Sequence, residues 1–315
     1  MLALDIGGTK MAAAVVRGDG SLAGPRVVRP TPPQGGAEAL WATVEAVLAD
    51  AARAAPDAGP IGGVGVGCGG PMTWPAGEVS PLNIPGWRGF PLRARLQATH
   101  PGLPVRLHND AICLAVAEHS RGRGRGHGSL LGLVVSTGVG GGLVLGGRLI
   151  DGATGNAGHI GHVVVDPAGP DCACGGRGCL EAIAAGPRLA RWAQDQGWRP
   201  ADPEADARAL ADDARLGDPT AVAAYARAGW ALSVAIASAV SLLDVDAVVV
   251  GGGLSQAGPL LFEPLRAAYA DHAGLDFARE VPIGTPLLGQ DAGIVGAAAL
   301  LLAGTAYWSA DWSAG

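Results

Sequence analysis

The sequence predicts an α/β protein of two related lobes, and three observations carry that expectation. Two segments of one design, LALDIGGTKMAAAVV at 2–16 and LGLVVSTGVGGGLVL at 131–145, lie far apart in the chain. Each reads as an apolar strand, a glycine turn and a second apolar strand, so a supersecondary unit has been repeated. Around them, short β-type apolar runs alternate with stretches of helical period. A length of 315 residues is ample for two domains. Lobes of similar topology are expected to face each other across a cleft.

Taken in order, residues 2–6 form a strand, Gly7-Gly8-Thr9 a tight turn and 11–17 a second strand. A Gly-Asp-Gly hairpin at 18–20 leads to a third strand near 22–29. Leu40, Val44, Val47 and Leu48 share one side of a helix over 37–54. Residues 61–68 read as a buried strand entering the Gly69-Gly70-Pro71 loop. Residues 104–108 form another strand, and Asn109-Asp110 opens a helix over 111–119. The arginine and glycine run at 121–127 lacks aromatic partners for stacked bases and reads as an exposed connector.

From Ser129 the pattern begins again. It gives a strand at 130–135, a turn at 136–142, a strand at 143–145 and a hairpin to 148–150. Helices follow at 187–197, 205–216 and 219–242. A strand at 247–250 runs into Gly251-Gly252-Gly253, and a weak strand at 281–285 precedes an apolar helix at 294–303. The tail from Gly304, with Trp308 and Trp312, has no pattern.

Composition narrows the function. A net charge of −6 offers no electrostatic footprint for nucleic acid or an anionic membrane. A hydrophobic content of 49% and a mean hydropathy of +0.28 fit a packed α/β protein. No apolar run approaches the ~20 residues of a membrane span. The chain opens directly into its first strand, so no signal peptide is expected. Cysteines grouped as for a metal fit a reducing compartment, so the cytoplasm is expected.

Several segments carry chemistry. Asp5-Ile-Gly7-Gly8-Thr9-Lys10 joins a strand-end carboxylate to a turn whose backbone amides, hydroxyl and single ammonium suit an anion. Lys10 is the only lysine in the chain. The motif is not a Walker loop, and no helix follows as in the dinucleotide fingerprint; a plain hairpin turn is the alternative. Ser136-Thr137-Gly138 and the glycines after it form the matching loop, and such a pair is able to hold a polyphosphate. Asn109-Asp110 alone is an ordinary turn or helix cap. Between two phosphate loops, Asp110 becomes a candidate base for a sugar hydroxyl.

His162, Cys172, Cys174 and Cys179 supply the imidazole and thiolates that tetrahedral zinc prefers. Four protein ligands make a structural site, one that orders the loop and fixes Glu181 beyond it. Unrelated reduced thiols are the alternative. Cys68 and Cys113 stand on apolar segments and read as core residues.

The motifs DIGGTK at 5–10, Asn109-Asp110, STGVGGG at 136–142, GHIGH at 158–162, CACGGRGCLE at 172–181 and VVVGGG at 248–253 resemble those of the ROK sugar kinases, over nearly the full length to about residue 303. The resemblance implies a two-lobed actin-like fold of the hexokinase, Hsp70 and RNase H-like type, with a zinc-binding loop. On that pattern residues 1–108 with 294–303 form a small lobe. Residues 109–293 form a large lobe carrying the zinc loop 159–181, and 304–315 form a tail. It implies transfer of the γ-phosphoryl group of ATP, with Mg²⁺, to the 6-hydroxyl of a sugar, with structural Zn²⁺, and a homodimer or homotetramer.

By matching position, Asp110 is the general base and Asn109 a sugar ligand. Gly70, Glu181 and His162 also meet the sugar, His162 binding zinc through its other nitrogen. Asp5, Gly7, Gly8, Thr9 and Lys10 form the first phosphate loop, Thr137 and Gly138 the second, and Gly252 and Gly253 an adenosine-side contact. Most glucokinases of the family carry Glu-x-Gly-His, where this chain has His159. A carboxylate only accepts hydrogen bonds, whereas an imidazole also donates, as an N-acyl carbonyl requires. The stretch from GHIGH to CLEAIA looks most like bacterial N-acetylmannosamine kinases. An N-acylhexosamine is therefore the expected substrate, with glucose the alternative. The family's transcriptional regulators carry a helix-turn-helix domain ahead of the first phosphate loop, and only four residues precede Asp5 here.

Overall fold

The computed structural model describes every residue except 35, 203, 305, 306 and 308–315; Trp308 and Trp312 lie outside the described residues. The chain opens with β1 (Leu2–Ile6), β2 (Lys10–Val15) and β3 (Val27–Pro30), followed by α1 (Gly36–Arg53) and β4 (Val64–Cys68). A small hairpin, β5 (Met72–Thr73) and β6 (Glu78–Val79), leads to α2 (Leu92–Thr99), β7 (Val105–His108) and α3 (Asp110–Arg121). Then come β8 (Leu130–Val135), β9 (Val139–Leu145) and β10 (Arg148–Leu149). Next are α4 (Leu180–Ala184), α5 (Gly186–Asp195), α6 (Ala207–Arg215) and α7 (Pro219–Leu243). The chain continues with β11 (Val248–Gly251), α8 (Pro259–His272), α9 (Asp276–Arg279), β12 (Ile283–Gly284) and α10 (Ala292–Leu302).

The expected duplication is visible in the sheets. One runs β3-β2-β1-β4-β7 and the other β10-β9-β8-β11-β12, the same order position for position. In the first, β1 pairs antiparallel with β2, Leu4 opposite Ala13, and parallel with β4, Leu4 beside Val66. Strands β1 and β4 are apolar without alternation because both their faces are covered.

By its internal contacts the chain divides into two compact units. The first comprises Met1–Gly132, Gly142–Gly158 and Pro286–Gly315, the second Leu133–Gly141 and His159–Thr285. Helix α3 thus belongs with the first sheet, whereas the sequence reading drew its boundary at 108. The reason is packing: α3 lies against α10 and β4. Gly67 on β4 permits it, since a Cβ there would stand 3.2 Å from Cys113 Sγ and 3.5 Å from Asp110 Cα. Cys68 and Cys113 are fully buried in this layer, as expected of core residues.

Several boundaries differ from the sequence reading. The second glycine turn is shorter than 136–142, because Val139, Gly140 and Gly141 already belong to β9. The third strand starts at Val27; Leu22 makes only an isolated bridge to Val16. Helix α8 went unread because Pro259 and Pro264 mimic breakers; Pro259 occupies the first turn, where no intrahelical amide is needed. Helix α7 is long and apolar enough by length and composition to cross a membrane, although Arg227 interrupts its apolar run. Its Ala224, Tyr225, Ala228, Leu232 and Ile236 are buried, the signature of a core helix packed on α8.

Candidate active site

In the first unit, the predicted base sits at the start of α3. Asn109 caps that helix in extended backbone, and its side-chain oxygen accepts from Ala111 N–H at 3.0 Å. Asp110 Oδ1 accepts from the same amide at 2.9 Å. Burial pushes the Asp110 carboxyl above its ordinary range, and the backbone amides of Ala111 and Asp110 itself partly offset that rise. Asp5, at the end of β1, is pushed up to about 7, first by burial and then by the negative charge of Asp110, against the pull of Lys10 and Arg26. The structure therefore brings Asp5 and Asp110 into one electrostatic neighbourhood.

The first glycine turn is a closed hairpin end. Gly7 N–H donates to Lys10 C=O at 2.9 Å, and Thr31 Oγ1 donates to Gly7 C=O at 2.7 Å. The Gly7 amide is therefore spent within the turn, while Thr9 and Lys10 are exposed. Asn83, which the sequence reading overlooked, lies beside this turn and beside the Gly69-Gly70 loop. Its amide would stand 2.9 Å from a Cβ on Gly8 and 3.5 Å from one on Gly69. No local pattern marks Asn83 as special; only the folded chain places it between two predicted motifs.

The second unit gathers the other predicted residues. The Ser136 amide donates to Gly138 C=O at 2.8 Å, and Ser136 C=O accepts from Gly186 N–H at 2.8 Å, so Thr137 and Gly138 form a pinned turn. Gly252 takes φ +89° with its Cα against the Val135 backbone, where any Cβ would collide with Val135 C=O. Gly253 faces Ser136 Oγ. Gly252 and Gly253 thus pack against Val135 and Ser136, the residues that lead into the Thr137-Gly138 turn.

Glu181 stands in the first turn of α4, two residues after the last predicted ligand cysteine. Its Oε2 accepts from Val139 N–H at 2.8 Å, and a Cβ on Gly138 would stand 2.7 Å from that oxygen. One carboxylate oxygen is therefore committed to the second glycine turn, a link absent from the sequence reading because it joins positions far apart in the chain.

His162, Cys172, Cys174 and Cys179 offer ligand atoms that all lie within 4.8 Å of one another. Cys174 Sγ is 3.8 Å from Cys179 Sγ, and Cys172 Sγ is 3.8 Å from His162 Nδ1. Tetrahedral zinc with Zn–S bonds of about 2.3 Å needs sulfur separations of about 3.8 Å, so the donor set fits such an ion. The loop is a distorted hairpin, with bridges Val164 to Cys179 and Asp171 to Arg177. His159, at the start of the turn that ends in His162, lies with its ring centroid 6.2 Å from that of His162, at an interplanar angle of 23°.

A model of the ROK family matches residues 1–303. The chain belongs to the ROK family. It is 35% identical to a glucokinase of Thermotoga maritima, over 96% of each chain. It is 36% identical to an N-acetylmannosamine kinase of Yersinia pseudotuberculosis, over 94% of this chain and 96% of that one. The crystal structure of a ROK family glucokinase from Streptomyces griseus, in complex with glucose and AMPPNP, superposes with a TM-score of 0.81 at 32% identity, covering 95% of this chain and 98% of that one. The fold is that of the ROK sugar kinases, α/β with mixed sheets, and the protein is an ATP-dependent carbohydrate kinase.

Proposed function

We propose that this ROK kinase transfers the γ-phosphoryl group of ATP to the 6-hydroxyl of an N-acylhexosamine, N-acetylmannosamine being the first choice. The observation that carries the reaction is Asp110, a carboxylate of raised basicity fixed at the first turn of α3. Its Oδ1 is held by the Ala111 amide, which leaves Oδ2 to accept the proton of the attacking hydroxyl. Asn109 beside it and Gly70 meet the sugar ring. Glu181, His162 and His159 are the further sugar contacts of this proposal. Phosphoryl transfer needs mainly alignment and charge stabilisation. The turns at Gly7–Lys10 and Thr137–Gly138 would hold the phosphates through amides other than that of Gly7, the Thr9 hydroxyl and the Lys10 ammonium. Asp5 would supply a carboxylate toward the Mg²⁺ that accompanies ATP, and Gly252 and Gly253 would meet the adenosine side.

His162, Cys172, Cys174 and Cys179 would hold a structural zinc, which supplies order to the 159–181 loop and no reactive group. The finer fold reading, an actin-like pair of lobes with a zinc-stiffened loop, rests on the repeated strand order and on this donor set. A cytoplasmic homodimer or homotetramer is part of the same proposal.

The acceptor rests on His159. An imidazole is able to donate to an N-acyl carbonyl, which a glutamate in its place cannot do. Glucose is the second reading, favoured by the equal likeness to a glucokinase. Comparison of kcat/KM for N-acetylmannosamine, N-acetylglucosamine, mannose and glucose decides between them. Amino sugars should lead; a preference of more than tenfold for glucose would end the N-acyl assignment.

A further inference from the structure

His108 is fully buried, directly precedes Asn109-Asp110, and has both ring nitrogens engaged. The Asn109 N–H donates to His108 Nδ1 at 2.8 Å. That nitrogen must be bare to accept, so the proton resides on Nε2, which lies 2.8 Å from Asp151 Oδ1 and donates to it. The ring is thus pinned in one tautomer between a carboxylate and the amide of the residue that caps α3.

The segment carrying Asp151 makes a second attachment nearby. Asn156 Oδ1 accepts from Met72 N–H at 3.4 Å, and its amide donates to Met72 C=O at 3.2 Å. Met72 lies two residues after Gly70. Trp74, next on the same hairpin, stacks on His108 with centroids 5.8 Å apart and an interplanar angle of 10°. Gly155 lies under that indole, where a Cβ would stand 2.7 Å from Trp74 Cβ. All these residues belong to the first unit.

We infer that residues 151–156 are a brace for the catalytic base and the sugar loop, with Asp151 and His108 as positioning residues that fix Asn109-Asp110, and Asn156 fixing the loop of Gly70. The inference rests on the reading of Asp110 as proton acceptor. Asp151 acts only through His108, by keeping Nδ1 turned toward the Asn109 amide. A base displaced by even about an ångström loses up to on the order of a hundredfold in rate, so a group that never touches the sugar still governs turnover.

Two isosteric substitutions separate the two bonds. His108→Asn keeps an acceptor where Nδ1 stood; His108→Gln keeps a donor where Nε2 stood. The experiment measures kcat and KM for sugar-dependent ATP consumption by the full chain, and hydrogen exchange at the Asn109 amide. His108→Gln and Asp151→Ala should each lower kcat about tenfold or more, with KM for ATP within about twofold. His108→Asn should lose less than His108→Gln. In the His108→Asn background, Asp151→Ala should cost nothing further. Asn109 exchange should quicken about tenfold in His108→Gln and in Asp151→Ala, even where the variant's melting temperature matches the parent's.

Wild-type kcat and unchanged Asn109 exchange in folded Asp151→Ala would overturn the brace, as would equal losses from Asp151→Ala in both backgrounds. Should His108→Gln not fold, Asp151→Ala and His108→Asn still decide. Asp110→Asn is measured in parallel: if it keeps its rate, the reading of Asp110 fails instead, and the exchange data continue to judge the brace.

Discussion

Asp5 carries more than a place in a motif. Its carboxyl is raised to about 7, chiefly by burial and by the charge of Asp110. Between its ordinary value and 7 the folded chain therefore holds a proton that the unfolded chain has released. The resulting stability is present at low pH and is lost as pH rises through 7. Asp5→Asn removes the ionisation. In protein free of nucleotide and Mg²⁺, it should raise the melting temperature at about pH 8.5 and change it little at about pH 4. An equal gain at both pH values would refute this. Gly252 makes a second test at this scale. Its φ of +89° and contact with the Val135 backbone leave no room for a side chain. Gly252→Val should destabilise the fold by more than ~1 kcal/mol, as measured by denaturant midpoint; an unchanged midpoint would contradict the packing.

At the scale of elements, the proposed reading makes the 159–181 loop the link between a bound zinc and the sugar. Cys179 precedes α4, and Glu181 within it reaches the Val139 amide at 2.8 Å. Removing the metal with a strong chelator, or Cys174→Ser, should raise the sugar KM several-fold through disorder of His159, His162 and Glu181. Zinc lost without change in KM would break that link. The cluster of His162, Cys172, Cys174 and Cys179 was legible in the sequence because it lies in residue identity and spacing. The reach of Glu181 to β9 was not, since a backbone partner 42 positions away leaves no local trace. Helix α8 was hidden for the opposite reason: prolines at 259 and 264 signal a break, while packing against α7 stabilises the helix regardless.

Across the whole molecule, duplication is the organising fact, and it was legible because both copies keep the apolar strand, glycine turn and apolar strand. The identical strand orders follow from it. What the sequence hid is pairing at long range: α3 with α10, Asn83 beside two glycine loops, and His108 with Asp151. Each is made by the fold from residues that look ordinary alone. The proposed reaction turns on one carboxylate, and the rate of sugar-dependent ATP consumption by Asp110→Asn tests it most directly. Asparagine preserves the shape of the α3 cap but accepts no proton at this position, so kcat should fall at least about a hundredfold while the protein stays folded and the sugar still binds. A variant that retains its rate within threefold would contradict the assignment of Asp110 as the base.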